Sequence, residues 1–583
     1  MKSLVFLIAA FSLALGAEFA AAEKRPLRLK QLQRCGDLLA TQQLTFCLRG
    51  EGLGSEDVTV KLGGTPVQAT RAKNGRLRLT LSRSEHESGP LWLEQDDRRS
   101  NPVWLTLNGS HVRAAGPDEV EKNMDGLTTY VDLVSIIIEE DQDGLQEAQR
   151  LAERYSAEVV GAIAPLNTYQ LRLPARNLTE RDALVLRLGS ETSVDAVIIE
   201  ESGAEEPLEE DRRNKPRNSE WVANRFLDAV DFYLHRLPRQ APLIQTHPVR
   251  IGVVERDVDF DSPEFQPYLG DCNTAAPRTC VYARDSDAPD DHGTSVTGVL
   301  AARSVDAVDS GFLNALEPAS AGFEVIVERN SDAGITANVA ASVNLVEDGV
   351  RVLNWSWGIH RVGTLDVEGE KIDSLVRSGV AMSGYEELLE EFFLWLRREH
   401  PDVIVVNSAG NGSAYSGQDD YRLPSSFITE QLLVVGAHQR NFSRDVAVEH
   451  SAYVTKRPSS NIDQRVDITA SACTRAATLE PGLRGEVHCG TSYATPMVTG
   501  VIAAMLSVNP ALTPAQLREL LRRSALTIGK NNDFEAADAE DLTAPILPSE
   551  RHYQLDDPDV GRSARLDMRK ALELTSESLQ RAR

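Results

Sequence analysis

Basic residues are scarce in this chain of 583 residues, where 61 Lys and Arg stand against 87 Asp and Glu and give a formal charge of −26 at pH 7. Such an excess of negative charge argues against nucleic acid and anionic membrane surfaces as partners. Metal-binding patterns are also lacking, since no Cys-x-x-Cys, no closely spaced histidine pair and no EF-hand loop occurs. We therefore assign no metal and no cofactor from the residues themselves.

Long apolar runs are confined to the beginning of the chain. Residues 1–22 carry Lys2, an apolar run over 4–15 and three alanines at 20–22, which is the order of a secretory signal with cleavage after Ala22. We expect no later stretch to approach the apolar length that spans a bilayer, and hence no membrane insertion. The mature protein is expected to be secreted or periplasmic.

Cysteine is rare as well, with only six residues in the chain. They fall as three local pairs: Cys35 and Cys47, Cys272 and Cys280, and Cys473 and Cys489. An even count behind a secretory signal predicts three disulfides, although six cysteines allow fifteen connectivities. A bridge from Cys473 to Cys489 would brace the loop that leads to Ser492, whereas a nucleophilic thiol there fits an exported chain poorly.

Two segments precede the larger part of the chain. Residues 25–118 alternate apolar and polar side chains over 58–62, 76–81 and 91–94, which predicts an all-β module that resembles small immunoglobulin-like domains. Residues 127–203 show the order β-α-β-β-α-β, which is typical of a ferredoxin-like sandwich. The stretch 204–218 is charged and unpatterned, so we interpret it as a linker and a natural site of proteolytic nicking.

From about residue 219 onward, apolar strands alternate with helical segments. We expect strands over 249–254, 323–327, 350–353, 403–406, 432–435 and 466–469. Near-continuous β-branched runs separated by helices predict an α/β fold, a parallel sheet with helices on both faces. Thr513 as N-cap, Pro514 at the first helical position and Gln516 as the capping-box partner predict a further helix start.

The stretch Gly-Thr-Ser-Tyr-Ala-Thr-Pro at 490–496 indicates a reactive serine. Ser492 lies between Gly490 and a small-residue run over 498–506 that predicts a helix buried on nearly every side. We expect Pro496 in the first turn, where it costs no helical hydrogen bond. A hydroxyl at the positive end of a helix lies where negative charge is stabilised, so Ser492 is a candidate nucleophile. A serine N-cap on a core helix is the alternative.

Two further motifs could serve such a nucleophile. His292-Gly293-Thr294 opens a small-residue helix, and a histidine at a helix start beside a glycine is a candidate general base. Asn411 follows the buried strand at 403–406, and ligands of open α/β sheets bind beyond the carboxyl ends of the strands. Its amide would be a donor to an oxyanion. Each motif alone also has a purely structural interpretation. His292 would then be a buried structural histidine, and Asn411 would belong to an Asn-Gly turn.

Taken together, these motifs resemble the subtilisin-like serine proteases (subtilases, peptidase S8) in order and spacing. The matching motifs are HGT at 292–294, AGN at 409–411 and GTSYATP at 490–496, with support from NWSWG at 354–358, VVGA at 434–437 and GRSARLD at 561–567. The resemblance covers about residues 219–575. It implies a serine endopeptidase acting on polypeptides, with Ser492 as nucleophile, His292 as base, and Asn411 and the Ser492 backbone N–H as oxyanion donors.

The acid of the triad departs from the family pattern, which has an aspartate at the end of the first strand. Aligning the strand places Glu255 at that position, with Asp257 two residues on as the alternative acid. A glutamate can accept the imidazole N–H and stabilise the cation, but its extra methylene demands a shift of roughly an ångström. An incomplete triad, in a weak or inactive scaffold that serves as a binding module, stays open at this point.

The resemblance also implies a substrate groove and a precursor form. The family builds its primary specificity groove from the segments that correspond here to Ser356, Trp357, Gly358, Ser408 and Gly410. Residues 127–203 would be a propeptide that inhibits the enzyme intramolecularly, or else a permanent regulatory domain. Calcium is frequent in the family, but no calcium site is assigned.

Overall fold

The described residues of the computed structural model form several packed units. The described residues are 27–37, 39–40, 42–53, 57–71, 76–204, 209–210, 221–240, 244–256, 258–272, 278–283, 290–303, 311–328, 332–415, 422–462, 465–475, 487–528 and 563–581. The expected secretory signal lies outside them, as does most of the linker.

The first unit consists of two antiparallel sheets that share one apolar core. Its strands are β1 (Arg28–Arg34), β2 (Gln43–Glu51), β3 (Thr59–Leu62), β4 (Thr65–Val67), β5 (Ala69–Arg71), β6 (Leu77–Ser82), β7 (Gly89–Gln95), β8 (Arg98–Arg99) and β9 (Val103–Leu105). One sheet has the order β1-β2-β6-β5, and the other has β4-β3-β7-β8 with β9 also paired to β7. Alternate side chains such as Leu77, Leu79 and Leu81 are buried between the sheets, as the period-2 pattern predicted.

The second unit is an antiparallel sheet with two helices. Its elements are β10 (Val120–Lys122), β11 (Thr128–Ile138), α1 (Gly144–Tyr155), β12 (Glu158–Ile163), β13 (Thr168–Arg172), α2 (Leu178–Leu188) and β14 (Val194–Ser202). β11 and β13 are central, β12 pairs with β13, and β14 and β10 pair with β11. Ala148, Leu151 and Ala152 of α1 are buried in the core of this unit. The predicted element order over 127–203 is confirmed.

The rest of the chain is built on a large, mainly parallel sheet. Its strands, with those of the small flanking sheets, are β15 (Glu209–Glu210), β16 (Val249–Val254), β17 (Thr279–Ala283), β18 (Phe323–Glu328), β19 (Val352–Trp355), β20 (Ile359–Arg361), β21 (Val376–Arg377), β22 (Ile404–Ser408), β23 (Arg422–Leu423), β24 (Leu432–Arg440), β25 (Val454–Lys456), β26 (Ile468–Ser471), β27 (Cys473–Arg475), β28 (Val487–Cys489), β29 (Leu526–Ile528) and β30 (Ser563–Arg565). The sheet has the order β17-β18-β16-β19-β22-β24-β26-β30-β29. Neighbours from β17 to β30 run parallel, and β29 is antiparallel to β30. The expected parallel sheet is therefore present.

Helices cover this sheet. They are α3 (Phe226–Asp231), α4 (Tyr268–Asp271), α5 (Asp291–Ala301), α6 (Phe312–Leu316), α7 (Gly334–Glu347), α8 (Gly379–Glu399), α9 (Thr491–Val508), α10 (Pro514–Ser524) and α11 (Met568–Arg581). α9 packs across β19, β22, β24 and β26 and against α5, whereas α7 packs against β16, β18 and α8. The predicted start of α10 is confirmed, because Thr513 and Gln516 form a capping box.

The structure corrects two expectations about this part of the chain. Helix α9 is long and apolar enough to cross a membrane by length and composition, although we expected no such stretch after the signal, and its residues are all buried inside the protein. The linker is not wholly without structure, because Glu209–Glu210 pairs antiparallel with β28 opposite His488 and Cys489. Backbone pairing rather than a side-chain pattern produces that strand, so no side-chain pattern could have predicted it.

Candidate active site

Ser492 lies in the first turn of α9, just beyond the end of β28. Its side chain is nearly buried, with 8% of its surface exposed, and its hydroxyl donates to the Ser356 carbonyl oxygen at 3.2 Å. Backbone N–H groups in the first turn of a helix have no intrahelical acceptor. The Ser492 N–H therefore belongs to the positive end of the helix, next to its own hydroxyl.

Pro496 is not in the first turn, contrary to our expectation, because α9 begins at Thr491. A proline at this depth has no N–H to donate to the carbonyl four residues earlier, which is that of Ser492. The Ser356 hydroxyl takes over and donates to the Ser492 carbonyl at 2.8 Å, while Asn354 Nδ2 donates to Ser356 Oγ at 2.9 Å. The hydrogen bond that Pro496 cannot make is thus replaced by one from Ser356, which couples the start of α9 to the segment that follows β19.

His292 is the second residue of α5 and faces both the candidate acid and α9. Its imidazole Nδ1 lies 3.1 Å from Oε2 of Glu255, which directly follows β16. Asp290 caps the helix by accepting the Gly293 N–H at 2.9 Å, which fixes the turn that carries His292. The His292 and Tyr493 rings have centroids 5.6 Å apart, so the imidazole lies beside the residue that follows Ser492. The structure therefore brings the acid, the imidazole and the start of α9 together.

Of the two candidate acids, the structure describes only Glu255, since Asp257 lies outside the described residues. The Glu255 side chain is only 9% exposed. Its second oxygen, Oε1, is buried and has no hydrogen-bond partner among the described residues. Glu255 is thus held with one oxygen on the imidazole, the contact that an orienting carboxylate makes.

Asn411 lies three residues beyond β22, and its amide is fixed by Thr491. Its Oδ1 accepts from the Thr491 backbone N–H at 2.8 Å and from the Thr491 hydroxyl at 3.0 Å. A Cβ on Gly490 would lie 3.1 Å from Asn411 Nδ2, a tight contact that would push against the amide. With Oδ1 held by Thr491, Nδ2 is the donor that Asn411 presents beside the loop before Ser492.

The predicted groove segment Ser356, Trp357 and Gly358 directly follows a core residue. Trp355 is fully buried, and its ring lies tilted against that of Trp357 with centroids 4.8 Å apart. Asn407 Nδ2 donates to the carbonyls of Trp355 and Trp357 at 2.9 and 2.8 Å, which ties the segment containing Ser356 and Gly358 to β22. The Asn407 amide therefore fixes the spacing between the two segments that the groove prediction named.

Sequence reasoning missed Arg422, a buried residue that contacts the predicted groove. Its guanidinium donates to the carbonyl oxygen of Ser408 and, at 3.3 Å, to the Ser408 hydroxyl. It also lies against Gly358 and Gly410. Arg422 belongs to no sequence motif, and an isolated arginine in a polar stretch is normally exposed. The sequence therefore contains no signal that Arg422 is buried at the groove.

The three local cysteine pairs are disulfides in the structure. Cys473 and Cys489 lie opposite each other on the antiparallel strands β27 and β28. β28 ends directly before Gly490, so this bridge anchors the loop that enters α9. The predicted brace is present.

The comparisons with known proteins bear on the family to which this chain belongs. The profile of the subtilase family matches residues 247–549, just over half of the chain. The extracellular serine protease of Serratia marcescens is 24% identical over 320 residues, which are 48% of this chain and 30% of that protein. Subtilisin NAT of Bacillus subtilis subsp. natto is 22% identical over 314 residues, or 53% of this chain and 70% of that protein.

A solved structure, fervidolysin from Fervidobacterium pennivorans, covers 80% of this chain and 63% of its own with a TM-score of 0.48 and 16% identity. The chain spans about a third of the length of the first two curated relatives. On the match of the family profile to residues 247–549, this chain belongs to the subtilase family.

Proposed function

We propose that this protein is a secreted serine endopeptidase that hydrolyses peptide bonds in polypeptides through Ser492, His292 and Glu255. The observation that carries the proposal is the contact of 3.1 Å between His292 Nδ1 and Glu255 Oε2, beside the helix start that holds Ser492. An imidazole with one nitrogen on a buried carboxylate keeps its other nitrogen as the base, which is the arrangement that a serine nucleophile requires.

The reaction follows from these positions. Ser492 Oγ attacks the scissile carbonyl while His292 takes its proton, and Glu255 stabilises the imidazolium that forms. His292 returns the proton to the leaving amine, and water then hydrolyses the acyl-enzyme. In the structure the Ser492 hydroxyl is bonded to the Ser356 carbonyl, so it must rotate towards the imidazole when substrate binds, since catalytic hydrogen bonds often tighten only in the complex.

We assign the oxyanion site to Asn411 Nδ2 and the Ser492 backbone N–H. Both are donors held before the reaction begins, one by the two hydrogen bonds from Thr491 to Asn411 Oδ1 and the other by the helix start. Donors fixed in advance stabilise developing negative charge without a cost of reorganisation at the transition state.

Asn411→Ala is expected to lower kcat by about 10²- to 10³-fold with little change in KM, the range found when the corresponding donor is removed from subtilisin. The reason is that the amide contacts the oxyanion only as it forms. Steady-state hydrolysis of a peptide substrate measures both constants. Thr491→Val is the control, because it removes one of the two bonds to Oδ1 and the acceptor of the Gly410 N–H at 3.1 Å but leaves the amide in place, and its loss should be smaller. Equal losses in the two variants would contradict the assignment.

A fluorophosphonate probe tests the proposed function itself. It should label the wild-type protein at Ser492 and leave Ser492→Ala unlabelled, because only an activated serine reacts with such a probe. Absence of labelling in the wild type after removal of residues 1–218 would refute the enzyme and favour a binding scaffold.

We further propose that residues 127–203, as a ferredoxin-like propeptide, inhibit the enzyme intramolecularly. Two carboxylates of β14 support this, because each meets a helix N-terminus of the larger unit, where anions are stabilised. Glu200 Oε1 accepts the Thr336 N–H of α7 at 2.9 Å, and Glu201 accepts both the N–H and the hydroxyl of Ser378, the N-cap of α8, at 2.9 Å. The pairing of Glu209–Glu210 with β28 also brings the linker to within a few residues of Ser492.

The remaining assignments belong to the same proposal. Residues 25–118 would form an immunoglobulin-like β domain, residues 204–218 the linker and residues 219–575 the catalytic domain. The similarity to an extracellular serine protease supports secretion of this chain.

Cleavage in the linker is expected in the wild-type protein and not in Ser492→Ala, if the enzyme matures itself. Mass spectrometry of the two secreted proteins should find a new N-terminus within 204–218 in the wild type alone. An intact wild-type chain that begins near residue 23 would contradict maturation and would make residues 127–203 a permanent regulatory domain.

A further inference from the structure

A buried arginine lies at the predicted substrate groove. Arg422 begins β23 and pairs in the antiparallel register opposite His360 of β20. Directly opposed residues of an antiparallel pair project their side chains to the same face. The two side chains are 3% and 1% exposed, so a guanidinium and an imidazole lie buried side by side.

The guanidinium lies between the two segments that are predicted to form the groove. A Cβ on Gly358 would overlap its central carbon, and a Cβ on Gly410 would lie 2.6 Å from its Nε. Gly410 also has a φ of +103°, which favours glycine for a second reason. Gly358, Ser408 and Gly410 are three of the five residues predicted to form the groove, and all three contact Arg422.

The contacts of this guanidinium include neutral oxygens. It donates to the Ser408 carbonyl, to the Ser408 hydroxyl at 3.3 Å and to the Ser425 hydroxyl at 3.2 Å. The neighbouring His360 adds no charge at neutral pH, because burial, and then the proximity of Arg422, lowers its pKa to about 3. The group at this point of the groove is thus a guanidinium, which stays protonated at any pH where proteins are folded.

We propose that Arg422 makes the primary specificity pocket shallow and cationic, so that the enzyme prefers peptide bonds that follow an aspartate or a glutamate. This rests on the proposed function. A carboxylate on the acyl-side residue (the residue that supplies the scissile carbonyl) would be attracted by the charge of the guanidinium and would replace the neutral Ser408 and Ser425 hydroxyls as its acceptor, because hydrogen bonds from a guanidinium to a carboxylate are stronger than those to neutral oxygens. A bulky aromatic side chain would collide with the same group.

The acidic residues of the linker fit this specificity, given the proposed maturation in the linker. It contains Glu205, Glu206, Glu209, Glu210 and Asp211. The second of its two glutamate pairs lies against β28, the strand directly before the loop of Ser492. The segment that the enzyme would cut during maturation is therefore rich in the residues that Arg422 would select.

The test uses four peptide p-nitroanilides that differ only in the acyl-side residue, Glu, Gln, Ala or Phe, with the mature wild type, Arg422→Met and Arg422→Lys. Glu and Gln have nearly the same shape, so their ratio of kcat/KM isolates the charge. Hydrogen bonds to charged groups contribute enough to predict a ratio of about 10 to 100 for the wild type. The ratio should fall to about 1 in Arg422→Met and lie between these values in Arg422→Lys, which keeps the charge without the fork.

Four results of this test would contradict the proposal or the function on which it rests. A wild-type ratio at or below 1 overturns the proposal without needing any variant to fold. A ratio that Arg422→Met leaves unchanged, with the variant still labelled by the fluorophosphonate, also overturns it. A gain of Phe cleavage in Arg422→Met with an unchanged ratio would reduce Arg422 to a steric filler. No turnover of any peptide together with no labelling would instead refute the proposed function.

Discussion

Replacing Ser492 by alanine is expected to lower kcat by about 10⁶-fold, which is the magnitude found for loss of the nucleophile in subtilisin. The hydroxyl supplies the atom that becomes acylated, and no neighbouring group in the described site replaces it. Substrate contacts stay intact, so KM should change little. Pre-steady-state kinetics with an excess of a peptide ester, in which fast acylation produces a burst, measure the loss directly, and the burst should disappear.

The matched control is Ser507→Ala, because Ser507 lies on the same helix and is also buried. Its hydroxyl is 2.8 Å from that of Tyr233, far along α9 from the site. Losing that hydrogen bond should cost about 1 kcal/mol of unfolding free energy and leave kcat unchanged. If both variants lost activity to the same extent, the loss would come from destabilisation of α9, and the assignment of Ser492 as the nucleophile would be contradicted.

Local patterns predicted much of the fold because their causes are local. The strand over 249–254 has the predicted bounds, and the helix Gly144–Tyr155 has its predicted place in the element order, since a β-branched run or an amphipathic stripe with a cap determines the element. Thr513 and Gln516 likewise satisfy each other within one turn. Where the residues of one turn or one strand are enough to determine an element, the sequence is sufficient to predict it.

The errors share a different cause, which is dependence on a distant partner. Pro496 is tolerated inside α9 because Ser356, far away in the chain, supplies a hydrogen bond to the Ser492 carbonyl. The strand Glu209–Glu210 exists only through its pairing with β28. Arg422 is buried because glycines from two other segments make room for it. None of these partners can be found by periodicity, which reports one element at a time.

Whether Glu255 can serve as the acid also depends on a distance. From the sequence, the extra methylene of a glutamate counted against it. In the structure, Glu255 follows β16 directly and its carboxylate reaches the imidazole at 3.1 Å. The longer side chain therefore spans the distance between the end of β16 and the imidazole of His292. That distance depends on how the end of β16 and the start of α5 are placed relative to each other.

Glu255→Gln is expected to lower kcat by about 10⁴-fold at neutral pH with KM nearly unchanged, and this is the second large effect that the structure predicts. The amide keeps the size of the side chain but loses its charge. Its NH₂ group can donate to Nδ1 of His292, which places the proton on the nitrogen that must act as the base. The acyl-enzyme would then form slowly although substrate binds normally, so steady-state hydrolysis gives the measurement.

Two companion variants separate this role from a general effect of charge. Glu255→Asp keeps the carboxylate but withdraws it by one methylene, and a misplacement of about an ångström should cost about 10²-fold. Arg256→Gln changes a half-exposed neighbour whose ion pair with Asp290 spans 3.5 Å, and exposed pairs contribute little, so kcat should stay near wild type. Because Glu255 holds the imidazole through one oxygen at 3.1 Å, the loss should rise from Arg256→Gln through Glu255→Asp to Glu255→Gln. Full activity in Glu255→Gln would instead assign the acid to another residue, and Asp257 would be the first to replace.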